Sequence, residues 1–420
     1  MYDKSMTLAT PSSAPFHIMT KPMGPLCNLD CKYCFYLEKA RLFPNNERFK
    51  MSDDLLETYV RSYIEAQPGP NVSFAWQGGE PTLAGLRFFK KSVAFQKKYA
   101  GGKQIENAFQ TNGTLLNDEF CQFFHTEGFL VGISIDGPEK LHDAYRVDRE
   151  GEPTYRRVMR GIELCKKHKV EFNTLTVVNR LNAREPLAVY RHLRDIGSAF
   201  MQFIPLVERQ ADDASSINGL DLSHPPDFDL PPDRKSEPEV TDWSVLPRDL
   251  GDFFCRVFDR WVTRDVGKTY IQLFDATLGK WLGIPGGPCT MAETCGRGLA
   301  LEHNGDLYAC DHYVYPRYRL GNIMNEPIAT MADSETMQAF GDDKRDKLTR
   351  MCQRCDYRFA CNGDCPKHRF AWTDDGDYGL SYLCPAYLQF FKHTAPAMQI
   401  MAKLYQSGRS PTEIMKHSFK

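Results

Sequence analysis

Cys27, Cys31 and Cys34 form a Cys-x3-Cys-x2-Cys pattern after a short strand-like run, and eight more cysteines crowd the last third of the chain. Those eight are Cys289, Cys295, Cys310, Cys352, Cys355, Cys361, Cys365 and Cys384. The other three, Cys121, Cys165 and Cys255, lie singly on apolar helix faces and read as core residues. Three thiolates this close hold three corners of a 4Fe–4S cube and leave its fourth iron open to another ligand. Zinc follows a parallel logic, in which three ligands and an open position mean catalysis and four mean structure. A structural metal loop sharing a distant fourth ligand also fits the first group. Eight thiolates fill two four-ligand sites, for zinc or for clusters, with no corner left open. Asp311 directly follows Cys310. A carboxylate beside an electron-accepting centre is placed to take a proton as the centre takes an electron, although a solvated turn acid reads the same way.

Fourteen cysteines in 420 residues are too few for a disulfide scaffold, and clustered reduced thiols usually serve metal or catalysis. Lys and Arg number 52 against 54 Asp and Glu, so no basic field draws the chain to nucleic acid or anionic lipid. Apolar runs such as 129–135 are far shorter than the ~20 residues that span a bilayer. The opening MYDKSMTLATPSSAPF lacks the apolar stretch of a secretory signal, which leads us to expect a cytoplasmic protein without a membrane anchor. Gly267-Lys268-Thr269 lacks the upstream glycine of a phosphate loop, and neither GxGxxG after a strand nor HExxH occurs.

The elements that must position these residues alternate. Strand-like runs fall at 16–20, 72–76, 106–110, 130–135, 171–178 and 200–204, and helix-period stretches at 52–66, 86–99, 118–127, 154–168 and 183–196. Ser52-Asp53-Asp54 makes an N-cap with acid in the first turn. Such alternation predicts a parallel α/β sheet, doubly wound or a partial barrel, with ligands at the C-terminal strand ends. The cysteine loop, Gln77-Gly78-Gly79-Glu80-Pro81, Thr111-Asn112-Gly113 and Asp136-Gly137 all fall at those ends. The chain divides into a barrel at 14–207, a Pro-, Asp- and Ser-rich surface insertion or linker at 208–247, a helical connection at 248–284, a cysteine-rich domain at 285–385, and a C-terminal helix and tail at 386–420.

With Tyr33 before its last cysteine, the CNLDCKYCFY stretch resembles the signature of the radical S-adenosylmethionine (SAM) enzymes. The resemblance implies a partial (β/α)6 barrel in which a 4Fe–4S cluster on Cys27, Cys31 and Cys34 binds SAM at its open iron. Gly78, Gly79 and Glu80 then match the motif that cradles the methionine end of SAM. Ser134, Arg146 and Val207 match further SAM contacts, as does Tyr33 itself. The C-terminal cysteines resemble the SPASM extension with two auxiliary 4Fe–4S clusters. That implies Cys289, Cys295, Cys310 and Cys365 on the first and Cys352, Cys355, Cys361 and Cys384 on the second. The stretches FAWQGGEPTLAGL, FQTNGTLL, VGISIDGP and 305–323 are similar to anaerobic sulfatase-maturating enzymes. In that family the residue matching Asp311 is the proposed base, and those matching Tyr36 and Gln77 line the active site.

The implied activity is oxidation of a Cys or Ser in an unfolded or nascent sulfatase polypeptide to Cα-formylglycine. It would use three 4Fe–4S clusters, SAM and an electron donor such as flavodoxin or ferredoxin. The alternatives are a SPASM enzyme that cross-links a ribosomal peptide through thioether or carbon bonds, and a non-catalytic zinc scaffold.

Overall fold

The computed structural model describes residues 10–44, 47–212, 215–216, 219–233 and 239–416; the first nine residues of the opening stretch and parts of the 208–247 segment lie outside them. Six parallel strands, β1 (His17–Thr20), β2 (Asn71–Trp76), β3 (Gln104–Thr111), β4 (Leu130–Ser134), β5 (Phe172–Val178) and β6 (Phe200–Pro205), pair in sequence order. Helices Asp53–Ala66, Leu86–Tyr99, Asp118–Thr126, Tyr155–Lys167 and Pro186–Asp195 cross between them, which is the connection parallel strands require. Local chemistry sets their starts. Ser52 Oγ accepts from Leu55 N at 3.2 Å and Asn117 Oδ1 from Phe120 N at 2.9 Å. Alternate residues of β2 (Val72, Phe74 and Trp76) are buried, and the rings of Trp76, Phe89, Phe109 and Phe124 continue this packing between sheet and helices.

The sheet does not stop at six strands. β7 (Tyr270–Ile271) pairs with β6, and β8 (Gly298–Leu301) pairs in parallel with β1. β9 (Asp306–Tyr308) and β10 (Arg319–Asn322) then run antiparallel beyond β8. These short strands carry no periodic signal long enough to be read from sequence. Their consequence is functional, because Leu301 pairs with Thr20 and the hairpin returns the chain to Cys310-Asp311 beside the C-terminal end of β1. Helices Pro247–Arg264 and Cys384–Gln406 pack on each other, with Phe254 and Phe390 at 5.7 Å. Among the described residues no helix is long and apolar enough to cross a membrane.

The described part of the 208–247 segment is anchored at a few points. Leu220, Leu222 and Val245 are buried, and β-bridges join Arg209 to Val240 and Gln210 to Leu222. Glu38, just past the cysteine loop, accepts hydrogen bonds from the N–H groups of Asp221 (2.8 Å) and Leu222 (3.2 Å). The segment therefore lies along the loop, and the two together line a cleft of about 990 Å³. Its prolines and aspartates hid a few well-spaced apolar anchors.

Candidate active site

The C-terminal strand ends enclose a cavity of about 240 Å³. It gathers Cys27, Cys31, Tyr33, Cys34, Tyr36, Gln77, Gly78, Gly79, Ser134, Arg146, Val207 and Asp311 from six separate stretches of chain. The cysteine loop is docked by backbone. Gly79 N donates to Gly24 O at 2.8 Å and Glu80 N to Leu26 O at 2.9 Å. A Cβ on Gly79 would stand 2.1 Å from Leu26 O, and Gly78 has φ 120°, so the glycine pair is needed for the loop to seat as well as for a ligand to approach.

Glu80 is the one expected SAM contact that does not line the cavity. Its fully buried carboxylate accepts from Thr82 N (3.0 Å), Thr82 Oγ1 (2.7 Å), Thr111 Oγ1 (2.8 Å) and Asn112 N (2.8 Å). Burial raises its pKa against those bonds. Asn112 in turn donates to Asn28 Oδ1 at 2.9 Å and approaches Cys27 Sγ at 3.8 Å. Glu80 thus ties the β2 and β3 turns together and steadies the cysteine loop from behind.

Burial pushes the Cys27 thiol up to about 12, and raises Cys31 and Cys34 as well. Each of these thiols also feels at least one other member of the trio or a nearby carboxylate. Cys34 additionally accepts from the N–H groups of Tyr36 and Leu37. Three converging thiols that are neutral when alone become thiolates on a cationic partner, which fits an iron–sulfur cube with one open corner. On the far wall Arg146 lies 3.0 Å from Asp136 Oδ2, and Asp136 also accepts from the Tyr33 hydroxyl and from Val177 N at 3.0 Å. Ser134 Oγ accepts from Gln110 Nε2 at 3.0 Å.

Asp311 closes the opposite side. It is ion-paired to Lys21, whose ammonium also sits 4.3 Å from the Tyr36 ring centre. Burial alone would raise the Asp311 pKa, but Lys21, with His312 and Lys367, holds it below the usual carboxylate range. Tyr36 donates to the fully buried Glu302, and the buried Gln77 Nε2 has no hydrogen-bond partner among the described residues. Lys367 pairs with Glu208 at the rim. Sequence reasoning missed Lys21, Glu302, Glu208 and Lys367. Only Lys21 left a signal, as a charge at the C-terminal end of a strand.

Neighbouring C-terminal thiols raise one another's pKa. Cys289 raises Cys295 and Cys365, while Cys295 raises Cys310 and Cys365. Cys352 raises Cys361 and Cys384, and Cys355 raises Cys384. Between Cys361 and Cys365 three successive residues, Asn362 (φ 47°), Gly363 (φ 73°) and Asp364 (φ 61°), are left-handed, so the chain turns sharply between these two thiols. Among the described residues no three Cys, His, Asp or Glu stand close enough to share one metal ion. A cube with one thiolate per corner needs its ligands further apart than a single zinc does. Cys121, Cys165 and Cys255 are buried.

A family model for the radical SAM superfamily matches residues 22–193, and one for an iron–sulfur cluster-binding (SPASM) domain matches 289–356. A serine-type anaerobic sulfatase-maturating enzyme of Bacteroides thetaiotaomicron is 46% identical, over 98% of this chain and 97% of its own. A cysteine-type counterpart from Clostridium perfringens is 32% identical over 91% of this chain and 97% of its own. The solved structure of native anSMEcpe with bound AdoMet superposes with a TM-score of 0.79, at 32% identity, over 93% of this chain and all of that one. The chain is thus matched over nearly its full length, and it belongs to the anaerobic sulfatase-maturating enzymes of the radical SAM superfamily.

Proposed function

We propose that this chain oxidises a serine or cysteine of a sulfatase polypeptide to Cα-formylglycine under anaerobic conditions, with serine preferred. The observation that carries the reading is that Asp311 and the Cys27–Cys34 loop open into one cavity although Asp311 follows an auxiliary-cluster cysteine far along the chain. The serine preference rests on the greater identity to the serine-type relative.

When bound, the first cluster with SAM supplies a 5′-deoxyadenosyl radical as hydrogen-atom acceptor, and the auxiliary clusters supply a sink for the remaining electron. Cys27, Cys31 and Cys34 would hold the first cluster. Cys289, Cys295, Cys310 and Cys365 would hold one auxiliary cluster, and Cys352, Cys355, Cys361 and Cys384 the other. Around SAM, the Gly78-Gly79 main chain, Ser134, Val207 and the Tyr33–Asp136–Arg146 group bind and orient, while Glu80 acts through the loops it ties.

Asp311 takes the hydroxyl or thiol proton of the target as its Cβ hydrogen leaves. Gln77 turns its free amide N–H to the substrate, and Tyr36 forms the floor. A serine yields the aldehyde directly; a cysteine yields a thioaldehyde that water hydrolyses. The division at 14–207 and 285–385 assigns radical chemistry to the first part and electron transfer to the second. The substrate is an unfolded or nascent sulfatase segment in the cytoplasm, and the electron donor is a flavodoxin or ferredoxin.

The test is mass spectrometry of a Ser-x-Pro-x-Arg peptide and its Cys twin after anaerobic incubation with reconstituted protein, SAM and reductant. An aldehyde at the target, formed faster from serine, is expected. SAM cleaved with both peptides unchanged would redirect the reading to another peptide substrate.

A further inference from the structure

Lys21 directly follows β1 and has a side chain 3% exposed, where an unpaired ammonium would be costly. Three contacts fix it. Its main-chain N–H donates to Leu301 O at 2.8 Å, which ties it to the added strand β8. Its stem packs against the β2 turn, where a Cβ on Gly78 would stand 3.3 Å from Lys21 Cβ. Its ammonium lies over the Tyr36 ring, itself locked through the hydroxyl to buried Glu302.

Asp311 has much less of its own support. It starts a three-residue turn, Asp311–Tyr313, in the connection from β9 to β10, and among the described residues the only hydrogen bond to its carboxylate comes from Lys21. Of the other lysines nearby, half-buried Lys367 is engaged by Glu208 and lies 4.6 Å from the Phe35 ring centre, and buried Lys39 lies 3.6 Å from the Tyr315 ring centre. One rigid side chain just after the first strand therefore decides where a carboxylate from the second domain points.

We propose that Lys21 is the positioning residue for proton transfer: its fixed ammonium holds the Asp311 carboxylate at the cavity wall facing the three cysteines. The inference rests on the proposed function, in which Asp311 accepts the target's proton. Lys21 lines the same cavity but acts through Asp311. A carboxylate released from it would swing to other rotamers, and a misplacement of about 1 Å costs on the order of 10²-fold in rate.

The test is made on reconstituted holoenzyme with the serine peptide. It reads aldehyde formed per 5′-deoxyadenosine, peptide affinity by fluorescence anisotropy, and iron content. In Lys21→Met the aldehyde ratio should fall by about 10²-fold with iron content and peptide affinity little changed, and Lys21→Arg should recover most of the loss. Since Lys21→Met alone strands a buried carboxylate, the decisive comparison is Asp311→Asn against Asp311→Asn/Lys21→Met. If Lys21 works through Asp311, the second substitution adds less than about twofold to the first. A wild-type ratio in Lys21→Met, or a further large loss in the double variant, overturns the proposal. An unmodified peptide with wild-type enzyme would instead overturn the functional reading on which it rests.

Discussion

The Cys27–Cys34 loop and the 361–365 turn both present thiols, but they are held in place by different means. The first is seated by main chain on main chain, through Gly24, Leu26, Gly79 and Glu80, with one side open to a cavity. The second is wound left-handed around a fully buried cation. Arg369 donates to Gly363 O (2.7 Å), Lys344 O (2.6 Å) and Asn362 O (2.7 Å), while Lys344 Nζ donates to Cys289 O (2.6 Å) and Thr290 O (2.9 Å). Cations bonded to carbonyls beside the auxiliary thiols sit where negative charge collects when thiolates and electrons arrive. The barrel loop has cations too, but they stand at its open side: exposed Arg149 donates to Cys27 O at 2.9 Å, and Arg146 lines the cavity beside Cys31. An open corner calls for a surface that fits a ligand, whereas a filled one calls for a frame that tolerates charge.

Removing a thiol from each region breaks this comparison most severely. Cys31→Ala should abolish SAM cleavage while leaving about two thirds of the iron, since two sets of four thiols are untouched. Cys355→Ala should do the reverse, keeping SAM cleavage and losing aldehyde formation. Iron analysis and 5′-deoxyadenosine assays of both variants check this. SAM cleavage surviving in Cys31→Ala would remove the special status of the first loop.

The aspartate between the regions comes next. Asp311→Asn should still cleave SAM, with aldehyde formation down by about 10²–10⁴-fold, the usual contribution of a positioned base. Turnover at the wild-type rate would take Asp311 out of the chemistry and leave the two regions coupled by electrons alone.

Arg369→Met probes the frame itself. Four carbonyls, those of Gly363, Lys344, Asn362 and Asp364, lose a donor, for a stability loss of about 3 kcal/mol. Auxiliary iron should fall while SAM cleavage by the barrel persists. Equal loss of both activities in a folded protein would mean that the regions are not separable.

Much of this was legible in the chain. All six barrel strands and the five crossing helices lie within a few residues of their expected spans, because apolar periodicity and caps such as Ser52 are local signals. The cysteines announced themselves by type and spacing. What stayed hidden depends on distant pairing. Lys21 and Asp311 are 290 residues apart, and β8, which brings them together, is a four-residue strand. Glu80 was visible as a residue but not as a brace, because its orientation is set by Thr111 and Asn112 on another strand. The anchors of the 208–247 segment, Leu220, Leu222 and Val245 among them, could not be picked out because they are isolated in a Pro-, Asp- and Ser-rich stretch.

The smallest expected effect concerns the seam that joins the two regions. Asp333 accepts from Ser12 Oγ at 2.9 Å and Ser13 N at 2.8 Å, and pairs with Arg297, so it ties the start of the barrel to the end of the helix Ile328–Ala332. Burial would raise its pKa, but the Ser13 N–H and Arg297 outweigh this and bring it down to about 2. Because the folded value lies below the unfolded one, its stabilisation is fully present above about pH 4 and is lost as pH falls toward 2. The group is largely solvated, so screening reduces the gain to under about 1 kcal/mol. Asp333→Asn should therefore lower anaerobic thermal stability slightly, by the same amount at pH 5 as at pH 8. A penalty that changed across that range would point to a titrating partner elsewhere in the seam, and a penalty of several kcal/mol would mean the two regions depend on this junction far more than their separate frames imply.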